Sequence, residues 1–75
     1  MTKEKLINTG RFVDAGRFSI LRPEEKLDRY CTDVVLYEDG RYIQLLKSGE
    51  YLYDGFRSRD LSETEDSMCK KLGYN

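Results

Sequence analysis

Residues 34–52, Val34-Val35-Leu36-Tyr37-Glu38-Asp39-Gly40-Arg41-Tyr42-Ile43-Gln44-Leu45-Leu46-Lys47-Ser48-Gly49-Glu50-Tyr51-Leu52, decide the fold. β-branched, aliphatic and aromatic residues crowd both sides of Asp39-Gly40, a dipeptide that accepts the two positive φ angles of a type I′ hairpin turn. With those two residues as the loop, the expected register sets Tyr37 opposite Tyr42, Leu36 opposite Ile43 and Val34 opposite Leu45. Side chains alternate along a strand. One expected face therefore carries Val34, Leu36, Ile43 and Leu45, and the other carries Val35, Tyr37, Tyr42, Gln44 and Leu46. A second turn at Ser48-Gly49 returns the chain, adding Leu52 to the aliphatic face and Tyr51 and Tyr53 to the tyrosine face.

Outward from this meander, Gly10 to Leu21 has apolar pairs on both sides of Ala15-Gly16, which predicts another hairpin with Val13 facing Phe18. Pro23 lacks the donor that a central strand needs, so it ends that ladder and opens a short helix over 23–30. Residues 1–9 read as a frayed end or a short edge strand. Asp54-Gly55 breaks the third strand of the meander, and residues 56–59 are expected to be a link.

The clearest helix spans about 61–72. Ser62-Glu63-Thr64-Glu65 has the form of a capping box, acids crowd the start, Lys70 and Lys71 close the end, and Gly73 suits a left-handed cap. Leu61, Met68 and Leu72 form one stripe, which should lie on the aliphatic face of the meander. The expected architecture is one α+β domain over 1–75. A small antiparallel sheet of four or five strands, with hairpins around 15–16, 39–40 and 48–49, carries the C-terminal helix on one face.

Composition narrows function more than it defines it. The 75 residues hold 13 Lys and Arg against 14 Asp and Glu, a net charge of −1. That balance argues against a nucleic-acid binder working by bulk charge. With no His in the chain, the commonest general base and metal ligand is missing. Cys31 and Cys69 have neither a Cys-x-x-Cys spacing nor a His to complete a zinc set, and they read as reduced packing residues. No phosphate-cradling glycine loop is present. A non-enzymatic domain is therefore expected, with no catalytic, metal or cofactor residues. Without a signal-peptide or membrane pattern, the expected location is cytoplasmic.

Gly-Arg-aromatic occurs at Gly10-Arg11-Phe12, Gly16-Arg17-Phe18 and Gly40-Arg41-Tyr42. The preferred reading is a turn glycine, a solvated arginine opening the next strand and a first packed ring. The tyrosine face is more apolar than a solvated sheet face, and tyrosine combines large contact area with a polar tip. Tyr37, Tyr42 and Tyr53, rimmed by Arg41 and Arg57, are accordingly the candidate protein-binding residues. The expected partner is a larger protein or a second copy of the chain. The competing arrangement has the 10–21 hairpin covering those rings. A nucleic-acid module, with the tyrosines stacking on bases and arginines on phosphates, is the alternative. Asp33, Glu38, Asp39, Glu50 and Asp54 around the rings weigh against it.

Overall fold

A computed structural model describes residues 2–74 and shows an α+β fold. Its elements are α1 (Lys3–Asn8), β1 (Arg11–Asp14), α2 (Ala15–Leu21), β2 (Cys31–Leu36), β3 (Tyr42–Leu46), β4 (Tyr51–Tyr53), β5 (Phe56–Ser58) and α3 (Leu61–Leu72). The five strands form one antiparallel meander in the order β1-β2-β3-β4-β5.

The β2–β3 turn differs from the expected one by one residue, and the consequences run through the sheet. Tyr37 N–H donates to the Arg41 carbonyl and Gly40 N–H to the Tyr37 carbonyl, each at 2.9 Å. Glu38, Asp39 and Gly40 therefore form a three-residue loop, with only Gly40 at positive φ (95°). Such a loop is a type I turn closed by a left-handed residue, a standard alternative to I′. The observed register pairs Leu36 with Tyr42, Val35 with Ile43 and Val34 with Gln44. A one-residue slip moves every side chain of a strand to the other face. Ile43 thus joins Val35 and Tyr37, whereas Tyr42 joins Val34 and Leu36. The β3–β4 turn is built alike: Leu46 N–H donates to the Glu50 carbonyl at 2.8 Å, and Gly49 has φ 92°. Leu52 pairs with Gln44 and Tyr51 with Leu45, so Leu52 shares the face of Tyr42 and not that of Ile43.

α3 closes the first face. Leu6, Val35, Tyr37, Ile43, Met68 and Cys69 make its buried cluster, flanked by Tyr51, Tyr53, Leu61, Leu72 and Tyr74. The stripe on α3 behaves as its periodicity implies, but it rests on the face holding Tyr37, Tyr51 and Tyr53. Its N-terminus is capped by Asp60, whose carboxylate accepts from Ser62 N–H at 2.9 Å, and not by a Ser62–Glu65 box. Glu65 is buried instead and accepts from the Tyr37 hydroxyl at 2.6 Å. A long-range partner has outcompeted the local one. At the other end Gly73 takes the left-handed conformation (φ 82°) and Tyr74 N–H reaches back to the Cys69 carbonyl at 2.9 Å.

The N-terminal third departs most from the sequence expectation. Residues 3–8 are helical, capped by the Thr2 hydroxyl. Leu6 enters the core, and Lys3 pairs with Asp66 of α3. The hairpin around 15–16 does not form. β1 pairs with β2 through Phe12 with Val35 and Val13 with Val34, and residues 15–21 coil into α2. Asp14 explains the switch: its carboxylate accepts from Arg17 N–H at 3.0 Å, the local bond of an N-cap. Phe18, fully buried, then covers the second face and meets Tyr42 with ring centroids 4.7 Å apart.

The helix expected over 23–30 is also absent. Pro23 follows the end of α2, and the connection to β2 runs over the second face instead. Gln44 Oε1 accepts from Asp28 N–H at 2.7 Å and Lys47 N–H donates to the Tyr30 carbonyl at 2.8 Å. Residues 56–58 form β5 rather than a link, because Asp54-Gly55 closes a two-residue loop with both residues at positive φ (46° and 86°). That is the type I′ signature expected at Asp39-Gly40, realised one turn later.

Candidate protein interface

The expected continuous tyrosine patch is not formed. Tyr37 is only 2% exposed, with its ring inside the core and its hydroxyl on Glu65. Burial and the Glu65 hydrogen bond both raise its pKa above the ordinary phenol value. It cannot contact a partner in the folded chain. Tyr42 lies across the sheet from it, a direct result of the three-residue loop. The Tyr42 hydroxyl donates to Glu25 Oε2 at 3.1 Å. Burial first, then that bond, push its pKa up to about 12.

Three of the predicted residues do meet elsewhere. Arg41, Tyr42 and Tyr53 line a shallow depression of about 310 Å³ over β3 and β4, with Glu25, Gln44 and Leu52. Arg41 is held at its rim by Asp39, whose Oδ2 lies 2.7 Å from the guanidinium. Arg57 lines a separate depression with Tyr30 and Leu46, and stands 3.9 Å from Glu50. Among the described residues, no group of three or more His, Cys, Asp or Glu gathers as a metal site, and no helix is long and apolar enough to cross a membrane.

The exposed apolar surface lies at the opposite edge of the sheet. Phe12 on β1 is 58% exposed, Leu21 on α2 61% and Ile20 81%. The geometry follows from the two neighbouring elements. α2 buries Phe18 beneath it, so Leu21, one turn later, falls on its flank, and Ile20 falls on its outer side. Among the described residues β1 has β2 on one side only, and its outer backbone groups are the open edge of the sheet. Phe12, Val13, Leu21 and Leu36 share a groove of about 470 Å³ with Arg11, Asp14 and Arg17. Arg11 continues into a second hollow of about 440 Å³ that also holds Arg22 and Glu38. Arg11, Arg17 and Arg22 form no ion pair among the described residues.

The hairpin expected over 10–21 gives no such groove, because it pairs Val13 with Phe18 and makes the arginines merely solvated strand residues. The signal that could have exposed them is Asp14 three residues before Arg17, an N-cap spacing that turns Phe18 inward and Ile20 outward. No family model, curated protein or solved structure matches the chain.

Proposed function

We propose that the chain is a non-enzymatic domain that binds another protein through the outer edge of its sheet, where β1 and α2 meet. The observation that supports this is the edge itself: Leu21 stands in the groove on the α2 side and Phe12 projects to the other face, both more than half exposed, beside a strand with no outer partner among the described residues. Proteins blunt open edges and rarely leave large apolar side chains beside them, because each invites association. Here both features coincide. The rest of the molecule supplies little that would serve chemistry: the buried acid Glu65 is committed to Tyr37, and both free thiols have their pKa raised by burial.

Photo-crosslinking in the native cells tests the proposal. A benzophenone amino acid is placed at position 21 in one variant and at position 53, in the β3–β4 depression, in another. A discrete crosslinked protein from position 21 and none from position 53 is the expected result. Crosslinks confined to position 53 would move the interface to the depression, and none from either position would overturn protein binding.

A further inference from the structure

Resting on that reading of the edge, we propose that its occupant is an extended segment of a partner protein in which acidic and apolar side chains alternate, laid along β1 as a sixth strand. The pattern follows from the two sides of β1. Arg11 pairs with Leu36 and Val13 with Val34, so both project toward the face covered by α2, where Arg17 also lines the groove. Phe12, paired with Val35, projects to the opposite face. An added strand keeps the same alternation. Its residues on the α2 side meet the guanidinium groups of Arg11 and Arg17, with Arg22 at the adjoining hollow. Its residues on the other side meet the exposed ring of Phe12. Asp14, held at the N-terminus of α2 by its bond from Arg17 N–H, lines the same groove, where the guanidinium groups of Arg11 and Arg17 outnumber it.

Charge complementarity selects this occupant over two others. Three guanidinium groups without ion pairs among the described residues face the groove and its adjoining hollow in a chain whose net charge is −1. A second copy of the chain is disfavoured. Pairing β1 with itself about a two-fold axis keeps each face continuous, so it would set both copies' Arg11 and Arg17 on the same side. A nucleic-acid strand would find the arginines interrupted by Asp14 and Glu38, with the exposed ring of Phe12 on the opposite face of β1 from them.

The test is an amide NMR titration of the full chain with a blocked synthetic peptide alternating Glu and Val. Its comparators are the matching Lys and Val peptide and a short thymidine oligonucleotide. The expected result is shifts concentrated on residues 11–14 and on α2 for the Glu peptide alone. Affinity should fall roughly tenfold or more in an Arg11→Glu, Arg17→Glu double variant that keeps the wild-type dispersion of resonances. Both arginines are exposed, so that variant should fold. Equal binding of the Lys peptide overturns the acidic pattern, as do shifts centred on 41–44 and 51–54. Shifts at β1 from the oligonucleotide alone would replace the protein segment by a phosphate backbone. A crosslink from position 21 combined with no peptide selectivity would leave the edge a protein interface and overturn only the alternating acidic partner.

Discussion

The turns at Asp39-Gly40 and Asp54-Gly55 share a dipeptide and an upstream tyrosine, yet they close different loops. Tyr53 is followed at once by Asp54-Gly55, and both loop residues take positive φ so that Tyr53 pairs with Phe56. Tyr37 is separated from Asp39-Gly40 by Glu38. There the loop takes all three residues, Gly40 alone crosses to positive φ, and Tyr37 closes on Arg41. Glu38 is also tied down from outside, since its N–H donates to the Thr9 hydroxyl at 3.0 Å. The difference shows how one residue of loop length chooses which tyrosine is core. With three loop residues Tyr37 goes under α3 and Tyr42 goes under Phe18; with two, the rings would have been neighbours on one face.

Deleting residues at this turn should break or sharpen that comparison most strongly. Removal of Arg41 leaves the three-residue loop to close on Tyr42, which imposes Leu36 opposite Ile43 and moves Ile43 and Leu45 away from Val35 and Tyr37. The lost burial should exceed the few kcal/mol that hold a domain of this size together. The expected result is collapse of amide dispersion and of the cooperative thermal transition. Removal of Glu38 keeps the Tyr37–Arg41 pair and converts the loop to the Asp54-Gly55 form. That variant should fold with Val35 still opposite Ile43, at a cost of about 1 kcal/mol for the Thr9 bond. Cross-strand contacts in its NMR spectrum would check the register.

Next in size are the two faces themselves. Ile43→Ala removes a fully buried side chain from the closed face and should cost about 2–4 kcal/mol in denaturant unfolding. Leu52→Ala, on the face of Tyr42 and only half-buried, should cost less than half as much, on the order of 1 kcal/mol. Equal losses would mean that the second face is packed as tightly as the first.

Smaller effects should come from the two tyrosine hydroxyls. Tyr37→Phe leaves buried Glu65 without its donor and should cost about 1–3 kcal/mol, whereas Tyr42→Phe faces a half-exposed Glu25 and should cost less. Both phenols have folded-state pKa values above the ordinary 10.0. The folded chain therefore holds protons that the unfolded chain releases. Stability from these groups is intact below about pH 10 and declines as pH rises, with the share of Tyr42 gone once pH passes about 12. Stability from denaturant unfolding, followed by circular dichroism, should begin to fall near pH 10 in the wild type and fall less steeply in Tyr42→Phe.

Local chemistry alone determined a large part of this molecule. Alternation within 34–36, 42–46 and 51–53 marks strands, Ser48-Gly49 marks a turn, and the stripe, basic end and Gly73 cap of α3 place the C-terminal helix, because these features depend on neighbours within a few residues. What the tertiary structure decided is which faces meet. Asp39-Gly40 is compatible with a two- or a three-residue loop. The choice fell to the register that buries Ile43 with Val35, Leu6 and Met68. Glu65 satisfies a local cap in sequence and a buried tyrosine in space, and the buried partner won because leaving it unpaired costs more. Residues 15–21 suit a strand by composition, but β2 already had β1 and β3 as partners, and Asp14 offered a cap. They became α2, and so Phe12 and Leu21, expected in a hairpin, stand with Arg11, Arg17 and Arg22 at the open edge where the binding proposal rests.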